Sequence, residues 1–114
     1  MFDYSMNSCA TIISDSGPGI DIISPKLNGK CRSPVNIIVR FTPRNGKDVD
    51  LSKLKVELIR FIAIDMTSKL LPFVTKEGVD VENVKLPSGK HKLRVTVGDS
   101  CGGLTQLQFE VKII

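Results

Sequence analysis

One histidine, three cysteines and a set of loop carboxylates are the residues of this 114-residue chain that catalysis or metal binding would draw on first. His91 follows Gly89-Lys90 at the start of an alternating segment, where it is either a general base or a hydrogen-bonded strand end. No serine or cysteine nucleophile with a third, orienting group stands beside it, so the second reading is preferred and no catalytic residue is assigned. Cys9, Cys31 and Cys101 contain no Cys-x-x-Cys pair, and a lone histidine does not complete a zinc site with them. Asp48 and Asp50, joined by Asp65, Glu77 or Asp99, offer the oxygen ligands that calcium takes. Neither an EF-hand loop nor a nonapeptide repeat supports that site, and the carboxylates read as solubilising and turn-capping residues. The expectation is a non-enzymatic chain with no metal and no cofactor.

Charge adds a second candidate chemistry. Sixteen Lys and Arg against twelve Asp and Glu leave a net charge of +4, enough to attract nucleic acid or an anionic surface if the cations cluster. Along the sequence they are scattered. The densest group, Lys90, Lys92 and Arg94, falls on one face of a strand and reads as a solvated face, because no aromatic residues interleave to stack bases. Nucleic acid is therefore a disfavoured partner. Carbohydrate binding needs a row of exposed rings, and no Trp, one Tyr and five Phe supply it poorly; Phe2 and Tyr4 sit together near the N-terminus. No run of about eighteen apolar residues would cross a membrane as a helix, and Asp3 stands where a secretory signal carries basic charge. The chain reads as soluble, or as belonging to the cell surface, the periplasm or the exterior if it is a module cut from a longer protein.

The elements that must position these residues are strands. Leu93, Val95 and Val97 alternate with Lys92, Arg94 and Thr96, and Leu107, Phe109, Val111 and Ile113 alternate with Gln106, Gln108, Glu110 and Lys112. A period of two in both runs predicts strands with one buried face. Asp99 to Gly103 close them into a hairpin, with two adjacent glycines available for positive φ. Upstream, residues 1–19 mix Ser, Asn, Asp, Gly and Pro and read as a flexible tail or linker, so the domain is expected to span residues 20–114. Ile20 to Ser24 predict a first strand ending at Pro25, and Val35 to Phe41 a second. Asn45-Gly46 marks a turn whose residues tolerate positive φ. Residues 53–61 satisfy both strand and helix spacing; the β context favours a strand. Asp65 or Thr67 would cap a short helical turn over 65–71, stopped by Pro72. Val79-Asp80-Val81 begin a further strand before Leu86-Pro87-Ser88-Gly89.

About seven short strands, spaced roughly ten to fifteen residues apart, predict an all-β antiparallel sandwich. Pro34-Val35-Asn36-Ile37 to Arg40-Phe41, Val49 to Val56, Gly78-Val79, Leu86 to His91, and Val97-Gly98-Asp99-Ser100-Cys101-Gly102 follow in an order that resembles bacterial immunoglobulin-like and fibronectin-III-like modules. The resemblance spans residues 20–113 and departs from the family over Ile59–Phe73 and at Cys101. It implies a seven-strand Greek-key sandwich and a role as spacer, adhesive or protein-binding module, with another protein or neighbouring domains as partners and carbohydrate as the alternative. It implies no site residue. In that topology Cys31 and Cys101 lie at opposite ends, about 20 Å apart, against roughly 4.4–6.8 Å for a disulfide. Hence they are not expected to pair, while the partner of Cys9 stays open.

Overall fold

In the computed structural model, which describes residues 10–25, 30–60 and 62–114, the terminal hairpin forms as its alternation demands. Strand β9 (Gly89–Asp99) runs antiparallel to β10 (Leu104–Ile113), pairing continuously from Gly98↔Leu104 to Gly89↔Ile113. Val95, Val97, Leu107, Phe109, Val111 and Ile113 are buried, while Lys90, Lys92 and Lys112 stay exposed. The ambiguous middle segment is also a strand. Strand β5 (Val49–Ile59) takes the free edge of β9, with Leu54 and Val56 buried and Lys55 exposed. A helix would have presented the same leucines, but it could not have satisfied the backbone groups along β9.

Two sheets result. The first is ordered β1 (Ala10–Asp15), β10, β9, β5, β6 (Ala63–Asp65), with β3 (Lys30–Cys31) also on β10; the second is ordered β2 (Gly19–Ser24), β4 (Val35–Thr42), β8 (Gly78–Val84), β7 (Val74–Thr75). The sequence β2-β4-β8-β7 facing β10-β9-β5 is the immunoglobulin-type Greek key, in which A-B-E-D packs on G-F-C. The protein is thus the expected all-β sandwich, with three strands beyond the expected seven among the described residues. Pairing is antiparallel throughout except between β3 and β10.

The additions have a common cause: open edges of the first sheet, on β10 and on β5. β1 covers Thr105–Phe109 of β10, and β3 covers Lys112 and Ile113. Strand β1 lies inside the segment read from composition as a tail; residues 1–9, with Phe2, Tyr4 and Cys9, lie outside the described residues. From β1 the chain crosses to the second sheet through Ser16 and Gly17, whose N–H groups donate to Leu104 O and Thr105 Oγ1 at 2.9 and 3.1 Å. On the other side, β6 pairs with β5, and the expected helical turn follows as α1 (Thr67–Leu70) and a 3₁₀ turn, Leu71–Phe73. Asp65 Oδ1 accepts the Thr67 N–H, and Thr67 Oγ1 accepts the Val56 N–H at 2.9 Å, so this turn is tied to the first sheet. Asn45 and Gly46 take φ of 56° and 67° in the β4–β5 turn, as anticipated.

Between the sheets the core is aliphatic, with Phe41 and Phe109 its rings among the described residues; Val97 and Leu107 are 0% and 1% exposed. Cys31 sits beside Ile113, whereas Cys101 lies in the turn beyond the other end of β10, roughly 30 Å away along the strand. The two are not bonded to each other.

Two substitutions probe this packing. Leu107→Ala should lower the urea-unfolding free energy by about 2–5 kcal/mol, the cost of a cavity in a core that cannot collapse. Gly78 has φ of 144°, and a Cβ there would lie 1.8 Å from Val39 O. Gly78→Ala should therefore unpair the top of β4 from β8, read as lost amide-exchange protection at Val39 and Val79 with the β9–β10 amides still protected.

Candidate functional site

The chemistry-bearing side chains are mostly engaged with backbone. His91 is buried, and its Nε2 lies 2.8 Å from Pro87 O; since a carbonyl only accepts, Nε2 carries the hydrogen. The ring thus fastens the 87–89 loop to the start of β9, the strand-end role expected of it. Asp99 is 3% exposed. Its Oδ1 accepts the N–H groups of Gly103 and Cys101, each at 2.8 Å, and its backbone carbonyl accepts Lys53 Nζ at 2.9 Å. The hydrogen bonds from Gly103 and Cys101 hold its carboxyl below the usual range, against a smaller opposing effect of burial.

The turn uses its glycines differently from the expectation. Gly102 has φ of 89°. Gly103 instead serves close approach, because a Cβ there would lie 2.3 Å from Ser16 O and 2.4 Å from Asp99 Oδ2. Only Gly permits the carboxylate and the β1–β2 crossover to meet at that point.

The remaining carboxylates do not converge. Asp50 accepts the Ser52 hydroxyl and N–H at 2.6 and 3.0 Å, which lowers its pKa, the hydroxyl most. Asp65, lowered likewise by Thr67, lies opposite Glu57 on β6. Glu77 belongs to the β7–β8 turn and offers its carbonyl to Phe41 N–H. Asp48 is exposed at the start of β5, its carbonyl accepting Ser100 N–H. Among the described residues no group of three metal-ligating side chains comes together.

The cations do converge. Register places Lys30, Lys112 and Lys90 directly opposite one another across β3, β10 and β9, and all three are exposed. Neighbouring strands are about 4.8 Å apart, and like charges in facing positions destabilise a sheet. Beside this row opens a cleft of about 350 Å³, lined by Leu58, Ile59, Arg60, Lys90, His91 and Lys92. Glu110 faces Lys92 across the ladder and offsets one charge. Among the described residues, Lys30, Arg60, Lys90, Lys92 and Lys112 form no ion pair. Arg94 departs from the solvated face expected of it: half-buried, it lies 3.7 Å from Glu57 and bonds Gln108 Oε1 at 3.4 Å. The cationic end therefore consists of Lys90 and Lys92 plus residues that sequence spacing did not join to them. Lys112 was within reach, since hairpin register pairs it with Lys90; Lys30 needed the parallel docking of β3.

The molecule defined by these features is a β-sandwich of immunoglobulin-type strand order with one cationic end. Compared with known proteins, the chain matches no family model, no curated protein and no solved structure at a significant level, so that class rests on strand order.

The Asp99 turn makes a pH-dependent contribution. A carboxyl with a lowered folded-state pKa stabilises fully above its unfolded value of 3.8, and this is lost as pH falls through the folded value. Wild type should be more stable than Asp99→Asn by a constant margin at neutral pH. In urea titrations repeated downward from pH 6, that margin should shrink once pH drops below about 4.

Proposed function

We propose that the chain is a non-catalytic module of the bacterial immunoglobulin-like or fibronectin-III-like kind, acting as a spacer or protein-interaction domain within a larger bacterial assembly. One observation carries this reading: four of the side chains that could do acid–base or metal chemistry are spent on the fold. His91 holds the 87–89 loop, Asp99 holds the β9–β10 turn, and Asp50 and Asp65 hold Ser52 and Thr67. Side chains fixed in this way position strands and present surfaces. The immunoglobulin-type order agrees with it, although such sandwiches host many functions.

A second reading, a weak electrostatic binder of nucleic acid or anionic surfaces, draws support from the lysine row on β3, β10 and β9. Phe41 and Phe109 are buried, and Phe73 is the one exposed aromatic among the described residues. That arrangement favours a protein partner over a stacked base or sugar.

Photo-crosslinking of the full chain expressed in its native cell tests the proposal. A benzophenone residue is placed in turn at Lys90, Ile64 and Ser100, which sample the cationic end, the β6 edge and the far turn. At least one position should yield a discrete polypeptide adduct. Adducts to nucleic acid alone would replace this reading with the electrostatic one, and no polypeptide adduct at any position would remove the interaction role.

A further inference from the structure

We infer that the cationic end of the first sheet is a docking site for an acidic, extended segment of a partner polypeptide; this rests on the interaction-module reading above and names the chemistry of its partner. Three features of the end converge on that occupant.

The first is charge. Lys30, Lys112 and Lys90 stand in one cross-strand row, with Lys92 and Arg60 at the adjoining cleft. The fold keeps these like charges close, and carboxylates brought to the β9 end of the row would relieve part of the repulsion. The second is the wall of the cleft. Leu58 and Ile59 line it together with the cations, so its occupant needs apolar groups beside its negative ones. A phosphate backbone would neutralise the lysines and leave the aliphatic wall unmatched. An acidic peptide carrying aliphatic side chains satisfies both.

The third is backbone. β5 pairs with β9 only as far as Ile59↔Lys92, and the chain then turns, Arg60 N–H donating to Ile62 O at 3.1 Å. Gly89, Lys90 and His91 are thereby paired with β10 alone among the described strands. An extended segment laid along Gly89–His91 would continue the course of β5 and gain main-chain hydrogen bonds, the mode of strand addition. Alternation would turn every second side chain outward, toward Lys90 and Lys92 with Lys112 one strand beyond, and the others inward beside Leu58. The segment that fits is one of alternating acidic and aliphatic residues.

The test uses the full chain, ¹⁵N-labelled, and a peptide of alternating Glu and Val. Controls are a Gln-Val peptide, a single-stranded DNA oligonucleotide and a heparin fragment of matched charge. The Glu-Val peptide should give saturable amide shifts confined to Gly89–Lys92, Arg60 and Lys112, weaken as salt shortens the reach of charge, and be preferred over every control. The double substitution Lys90→Glu with Lys112→Glu should weaken it by about tenfold or more. The milder pair Lys90→Gln and Lys112→Gln should give an intermediate loss, with an unchanged spectrum elsewhere to show that the fold persists.

Shifts centred on another surface would overturn the inference, as would undiminished binding by the Glu variant or tighter binding of DNA or heparin at this end. Absence of peptide binding would do the same. In each case a polypeptide adduct from Ser100 or Ile64 in the crosslinking experiment would leave the module reading standing, so the two can fail separately.

Discussion

Asp99 fixes the register on which the first sheet depends. Its carboxylate gathers the N–H groups of Cys101 and Gly103 into one tight reversal, and Gly103 O accepts the Asp99 N–H at 2.9 Å. β9 leaves this turn locked to β10 in a single alignment. A slip of β9 by one residue against β10 would carry Val95 and Val97 from the core to solvent. β9 then offers its other edge to β5, and β10 offers its own to β1 and β3, so both flanks inherit their positions from this turn. Lys53, reaching back to Asp99 O, ties β5 to the same point.

From that register follows the electrostatic character of the outer face. Near its middle the charges are matched: Glu57 is buried although it shares a face with Arg94, and both Arg94 and Lys55 approach it at 3.7 Å. At the turn end, Asp15 is paired with Arg44, Lys47 and Lys53 favour the charged form of Asp99, and Lys53 does the same for Asp50. At the opposite end the cations of β3, β9 and β10 align with Glu110 as their near acidic neighbour. A modest net charge of +4 thus becomes a strong local field, because the balancing carboxylates lie mainly elsewhere.

Much of the strand layout was legible in the chain. Alternation is a local property, and it marked β2, β4, β9 and β10 because each buries one face against the opposite sheet. The helical turn was also visible, through Asp65, Thr67 and Pro72. β1, β3 and β6 were not. They are short or polar and contribute little to the core, and they form because another strand presents an unpaired edge to them. For β5, periodicity satisfied two geometries equally, and the hydrogen-bonding needs of β9 selected between them.

The candidate site divides along the same line. Residue types and spacing determined that His91 stands alone, that the cysteines lack metal-ligand spacing, and that Lys90 and Lys92 share a strand face, for each of these is set within a few residues of chain. Tertiary structure alone decided that Lys30 joins Lys112 and Lys90, that Arg94 leaves the patch for Glu57, and that a cleft opens where β5 parts from β9. The physical reason is that charge acts through distance in space. Residues tens of positions apart become neighbours only when a sheet brings their strands about 5 Å apart.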